Sequence, residues 1–300
     1  MSQAAADLQR MTLLLAAAGL GAAHEIVPLA GTGNRTFAVT GRDFDVVLRL
    51  PGRETQALVD RAAEAHNAAL AAALGVAPAI LHRDPGDGAM VMARAPGAMI
   101  ADQPGSGRAA ALGRLGCCLA RLHGGPAFRG RMDPWQKIAA YLDAAGMRDG
   151  ADPAAFGVLW PRIQALRTRT GLKEARLVPC HVDPIPANAL DDGLRILLVD
   201  WEYAAMSDPL WDLAYVCVEG ALEAPEERAL LDGYGSDETL LRELSGWKPV
   251  VRAVSAAWCM ARAAMGDATI WRGEVANRLA ALTADLDHAG AAAGGQGAGQ

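Results

Sequence analysis

The run His181-Val182-Asp183-Pro184-Ile185-Pro186-Ala187-Asn188, followed by Leu197-Leu198-Val199-Asp200-Trp201-Glu202, leaves this chain little freedom in how it folds. It reads as a strand end, a short loop and a returning strand. Leu190–Leu194, with Asp191, Asp192 and Gly193, has the composition of a turn. Arg195–Val199 then reads as the strand that delivers Asp200. The five-residue step from Asp183 to Asn188 lets the loop turn back on itself, so the three polar side chains share one edge. A carboxylate there can orient a hydroxyl and accept its proton. An amide oxygen and a second carboxylate are oxygen ligands for a hard divalent cation such as Mg²⁺. Phosphoryl transfer from ATP requires that combination. Singly, each residue has a blander reading: an Asp before Pro is commonly a loop residue, and His181 reads as a hydrogen-bonding brace for the loop. The combination in a strand–loop–strand context carries the weight.

Composition narrows the class. Charged residues make up 21% of the 300-residue chain and the net charge is −6, with no Lys/Arg cluster. Such a chain is a poor partner for nucleic acid. Five cysteines, without a C-x-x-C pair, suit buried thiols in a reduced cytoplasmic protein. Cys180 follows apolar residues and reads as core. The histidines show no metal-ligand spacing. Met11–Ala23 is apolar, but Asp7 precedes it with Arg10 as its one basic neighbour, so it reads as an opening helix rather than a signal segment. No apolar run reaches membrane-spanning length.

Along the chain, His24–Leu29, Thr36–Thr40 and Asp45–Leu50 read as strands joined by Gly-rich turns. Gly31, Gly33 and Asn34 lie in the first turn, where glycine lets backbone N–H groups approach phosphate. Residues 54–74 read as an Ala-rich helix with Glu64 near its middle. Ala79–His82 and Ala89–Met92 read as a strand pair, and Arg94–Gly97 as a connection. Helices are expected at 107–124, 134–146, 153–170, 208–221, 226–233, 236–265 and 268–288, with an unstructured tail from 290 to 300. Asp208 reads as an N-cap and Asp212 as an acceptor bracing the loop. The order is that of an α+β chain with a small β-rich lobe (1–94) and a larger helical lobe (95–289).

The residues His181, Asp183, Asn188, Asp200-Trp201-Glu202-Tyr203-Ala204 and Asp208-Pro209-Leu210-Trp211-Asp212-Leu213-Ala214 resemble the choline/ethanolamine kinase and aminoglycoside phosphotransferase superfamily, and its bacterial choline kinase branch most. The resemblance extends to Gly31–Asn34, Val47–Gly52 and Asp60–Glu64, and so covers most of residues 20–220. Protein kinases share the core logic, but their D-F-G triplet is D-W-E here and no A-P-E follows, which suits a small-molecule acceptor. The resemblance implies a protein kinase-like two-lobed fold and an ATP- and Mg²⁺-dependent kinase. It implies Asp183 as the base and Asn188 and Asp200 as metal ligands. It puts Arg49 on the ATP phosphates with Glu64 holding it, and Met92 with the 94–97 connection on the nucleotide side. It also implies Tyr203, Glu219 and Trp258 as an ammonium pocket, since an aromatic face and a carboxylate suit a cation. Choline or ethanolamine is then the first acceptor. Ala261 stands where a second aromatic is expected, with Trp271 or Met260 as substitutes. That departure keeps open an aminoglycoside, thiamine or a related acceptor. A nucleotide-binding regulator without catalysis is the third alternative.

Overall fold

A computed structural model describes residues 3–29, 34–52, 59–146, 155–171, 173, 176–235, 237–265 and 268–294. Gly31 and Gly33 lie outside them, as do residues 53–58.

Helix α1 (Gln3–Ala17) precedes strands β1 (Ala23–Leu29), β2 (Arg35–Gly41) and β3 (Asp45–Leu50). After helix α2 (Arg61–Ala73) come β4 (Ile80–Arg83) and β5 (Met90–Ala93). These strands form an antiparallel sheet in the order β1-β2-β3-β5-β4. Alternation along β2 and β3 turns Val39, Val46, Leu48 and Leu50 inward, where Met11, Leu14 and Leu15 of α1 cover them. The opening apolar segment is thus a core helix of the small lobe.

Helix α2 starts later than the sequence suggests. The Asp60 carboxylate accepts from the N–H groups of Ala62 and Ala63 and caps the helix at Arg61. Glu64 therefore stands in the first turn rather than near the middle. Asn67, one turn on, is fully buried: its amide donates to the carbonyls of Ala204 (2.7 Å) and Arg129 (3.0 Å) and accepts from Arg129 N–H (2.8 Å). One side chain of the small lobe thus binds two segments of the large one.

The connection between lobes passes through Gly97 at φ +101, and a Cβ there would collide with the Asp191 carbonyl. Strand β6 (Ala98–Met99) then pairs with β8 (Ala189–Asp191), which pairs with β9 (Ile196–Leu198). Strand β7 (Val178–Cys180) pairs with β10 (Ala205–Ser207). Around these strands lie α3 (Gly105–His123), α4 (Pro134–Ala144), α5 (Ala155–Thr170), α6 (Pro209–Glu219), α7 (Ala224–Tyr234), α8 (Glu238–Met265) and α9 (Ala268–Gly294). Helices α3 and α7 approach closely because Gly113, Gly116 and Gly233 bring backbone against backbone. Helix α9 runs past residue 289 to Gly294. Its last turns are alanine-rich, and alanine favours helix more than any other residue. Four of the five cysteines are buried, but Cys117 is exposed, which corrects the expectation of buried thiols throughout. No helix among the described residues is long and apolar enough to cross a membrane.

Candidate active site

The loop after β7 is held from behind. The Asp212 carboxylate accepts from the N–H of His181 (2.8 Å) and of Val182 (2.9 Å), and it also meets His123 Nε2 at 3.2 Å. Trp211 Nε1 donates to the Val182 carbonyl at 2.9 Å. These bonds fix Val182 at φ +76, in the left-handed region that a β-branched residue avoids. Asp208 caps α6 through Leu210 N–H (3.0 Å), so cap and brace are both as expected. His181 is wholly buried, and its Nε2–H donates to the Val199 carbonyl at 3.0 Å. Burial pulls its pKa down to about 4, so the ring is neutral and the contact is a brace.

Asp183 and Asn188 meet in front of this support. Asn188 Nδ2 donates to the Asp183 carboxylate at 3.1 Å and to its carbonyl at 3.0 Å. The Tyr215 hydroxyl of α6 donates to the same carboxylate. Burial and then the charge of Asp200 push the Asp183 pKa up to about 8, against the pull of Tyr215 and Asn188. Asp200 follows β9 at φ +65, again left-handed and again non-glycine. Burial and Glu202 push its pKa up to about 6, with Arg49 pulling the other way.

The small lobe supplies the cations. Arg49 of β3 pairs with Glu64 and stands 3.6 Å from Asp200. Arg61 contacts Glu64 (2.9 Å) and Glu202 (3.5 Å), and Asn34 Nδ2 donates to Glu202 at 2.9 Å. The expected pair Arg49–Glu64 is thus present, and Asn34 faces the D-W-E segment across the cleft. Met92 sits in β5 next to the connection, paired with Val47 of β3. Asp200 Oδ1 and Arg49 Nε and Nη2 are buried without a hydrogen-bond partner in the protein. A divalent cation would satisfy the orphaned carboxylate oxygen, and a phosphate the orphaned guanidinium nitrogens. The residues present therefore fit Mg²⁺ and a nucleoside triphosphate.

A profile of the phosphotransferase enzyme family matches residues 25–247. The chain belongs to that family. A choline/ethanolamine kinase family protein from Mesorhizobium loti has a similar structure, with TM-score 0.77, 29% identity and 94% of each chain covered. Protein LicA of Haemophilus influenzae is 40% identical over 62 residues, 21% of this chain and 23% of LicA. A thiamine kinase of Salmonella typhimurium is 29% identical over 150 residues, 48% of this chain and 52% of that protein. The chain thus spans about a quarter to a half of the length of these curated relatives.

The residues expected to form an ammonium pocket, Tyr203, Glu219 and Trp258, have partners within the chain. Glu219, at the end of α6, receives a bidentate pair from Arg278 (2.6 and 2.9 Å) and the Ser255 hydroxyl (2.6 Å). Its charge is already matched by a cation of the same chain. The Tyr203 ring has the Lys137 ammonium 5.5 Å from its centroid. Trp258 packs edge-on against Trp271 at 5.0 Å, and Arg262 lies over Trp271 at 5.7 Å. Trp271, one of the two expected substitutes for the second aromatic, thus packs on Trp258 with a cation over its own ring. Sequence reasoning missed Asn67, Arg61, Lys137, Tyr215 and Arg278. Their partners lie up to 141 residues away, so no local pattern announces them. It also read Asp191 as a turn residue. Asp191 ends β8 and holds Arg114 through two bonds of 2.8 and 2.6 Å.

Proposed function

We propose that this chain transfers the γ-phosphoryl group of ATP, with Mg²⁺, to a hydroxyl of a small organic acceptor. The observation that carries this reading is the convergence of Asp183, Asn188 and Asp200 opposite Arg49. Bound Mg²⁺ neutralises phosphate charge. Asn188 and Asp200 would hold it, and Arg49, fixed by Glu64, would orient the phosphates as a rigid fork. Asp183 orients the acceptor hydroxyl and takes its proton. A carboxylate with basicity near neutral pH is matched to that task. Tyr215 and Asn188 fix its direction. The turn holding Gly31, Gly33 and Asn34 would cover the phosphates, and Met92 with residues 94–97 would face the base. This division puts the lobe boundary at 94/95.

Likeness to the choline/ethanolamine kinase family makes choline and ethanolamine the first acceptors to try, and likeness to the thiamine kinase makes thiamine the second. ADP release with Mg²⁺ and ATP, scanned over these alcohols, an aminoglycoside and hydroxy acids, tests the reading. Acceptor-stimulated release that Asp183→Ala removes supports it. Undiminished release in that variant sinks it.

A further inference from the structure

Helix α6 and its cap carry Asp208, Asp212, Tyr215 and Glu219 at steps of four, three and four residues, so the four share one face. Asp212 holds the N–H groups of His181 and Val182, and the Tyr215 hydroxyl reaches the Asp183 carboxylate. The loop after β7 therefore runs along that face, and Glu219 lies one turn beyond Tyr215. The end of the helix stays close to the same loop: a Cβ on Gly220 would stand 3.0 Å from Pro186 Cγ.

Glu219 is held from its other side by Arg278 of α9. Their two contacts are 2.6 and 2.9 Å, and the Ser255 hydroxyl of α8 adds a third bond of 2.6 Å. Arg278 has a second carboxylate within reach: its Nε donates to Glu274, one turn earlier on α9, at 2.8 Å. The Glu274 side chain is 42% exposed and that of Glu219 is 13% exposed. The guanidinium thus bridges an inner carboxylate and an outer one. Burial opposes its charge, but Glu219 outweighs burial and raises the pKa, so the group stays charged. Arg278 can leave Glu219 only by moving, not by losing its proton. Glu274 would keep it paired when it moves, and Ser255 would remain on Glu219. Trp258 and Trp271 pack together in the same α8–α9 seam, Trp258 one turn from Ser255 and Trp271 one turn from Glu274.

We propose that Arg278 sets the acceptor specificity: its guanidinium occupies the cation position at Glu219, and an acceptor binds productively when its own positive group displaces Arg278 onto Glu274. This rests on the kinase reading above and on Glu219 as the carboxylate for a cationic acceptor. Apparent affinity then scales with the share of molecules in which Arg278 is clear of Glu219. The exchange also works against uncharged alcohols, which bring no charge to replace the one that leaves.

The test compares choline, ethanolamine, thiamine and the uncharged choline isostere neopentylcarbinol as acceptors for the full chain and for Arg278→Met and Glu274→Gln. In Arg278→Met the KM of the cationic acceptors falls about fivefold, and that of neopentylcarbinol does not fall. In Glu274→Gln, where Arg278 has lost its second carboxylate, the KM of the cations rises about threefold. A merely structural ion pair would shift both variants the same way, so the opposite signs identify the exchange. A KM for the cations that is unchanged or higher in Arg278→Met overturns the inference and leaves the kinase reading intact. Absence of turnover on every acceptor goes against the kinase reading, and labelling of the unaltered chain then decides the inference. Phenylglyoxal modifies accessible guanidinium groups, and peptide mass spectrometry reads Arg278 apart from the other arginines. Faster modification of Arg278 with a cationic acceptor than with neopentylcarbinol supports the proposal. Equal modification with and without all three cations overturns it.

Discussion

At His181, burial holds an imidazole neutral. A histidine whose folded pKa is depressed contributes stability that is complete above its unfolded value of about 6.5 and is lost as pH falls towards about 4. The shift corresponds to roughly 3 kcal/mol over that interval. Urea unfolding at pH 7 and at pH 4.5 should show a loss that is smaller in His181→Gln. Equal losses in both proteins would contradict the assignment. Glu64 poses the opposite problem, because its side chain is 1% exposed between Arg49 and Arg61. Glu64→Ala leaves two buried guanidinium groups without their shared counter-ion and should cost about 3–5 kcal/mol. Arg49→Met should cost less, since Glu64 keeps Arg61. A Glu64→Ala penalty below about 1 kcal/mol in urea would mean that water replaces the carboxylate. The pairing of Arg49 with Glu64 was legible through the family resemblance, although Glu64 was expected near the middle of its helix. The choice of Arg61 and Glu202 as further partners was not, because charge alone does not say which of many carboxylates a guanidinium meets.

Elements were legible where a short-range pattern specifies them. Strands β1, β2 and β3 follow alternation and Gly-rich turns, and each lies within two residues of its expected place. The start of α2 was harder, because Glu54, Gln56, Ala57 and Leu58 favour helix by composition as much as the residues after Asp60 do, and the Asp60 cap decides the boundary. The end of α9 was missed for a related reason: Ala and Gly without apolar periodicity look unstructured, yet alanine continues a helix readily. The brace between α6 and the loop after β7 was legible because Asp212 follows the Asp208 cap at helical spacing. Removing it tests how far that element depends on one carboxylate. Asp212→Ala strands two buried backbone N–H groups and releases Val182 from its left-handed conformation. A loss of about 2–4 kcal/mol in urea unfolding is expected, together with a lower kcat, and rescue by Asp212→Asn should be partial. Unchanged kcat with intact folding would separate the brace from the chemistry.

For the molecule as a whole, Ala68, Ala71, Val76 and Ala77 of the small lobe share a core with the large lobe, and Asn67 hydrogen-bonds across the same boundary. Asn67→Ala orphans the Ala204 and Arg129 carbonyls and the Arg129 N–H, and should cost about 2–4 kcal/mol. A shift of the urea midpoint smaller than about 1 kcal/mol would place the coupling elsewhere. The two-lobed plan was legible from element order, strands first and helices after. The resemblance names an acceptor class, but no local pattern shows that Arg278, distant in sequence, pairs with Glu219 or that Lys137 stands over the Tyr203 ring. In the proposed chemistry Asp183 alone among these groups receives the proton. Single-turnover transfer of labelled γ-phosphoryl from ATP, with Mg²⁺ and an acceptor, is therefore the decisive measurement. The predicted result is label in the acceptor for the unaltered chain, at least a hundredfold slower transfer for Asp183→Asn, and ATP binding within about threefold in both. Equal transfer rates in the two proteins, or label only in free phosphate for the unaltered chain, would contradict the account.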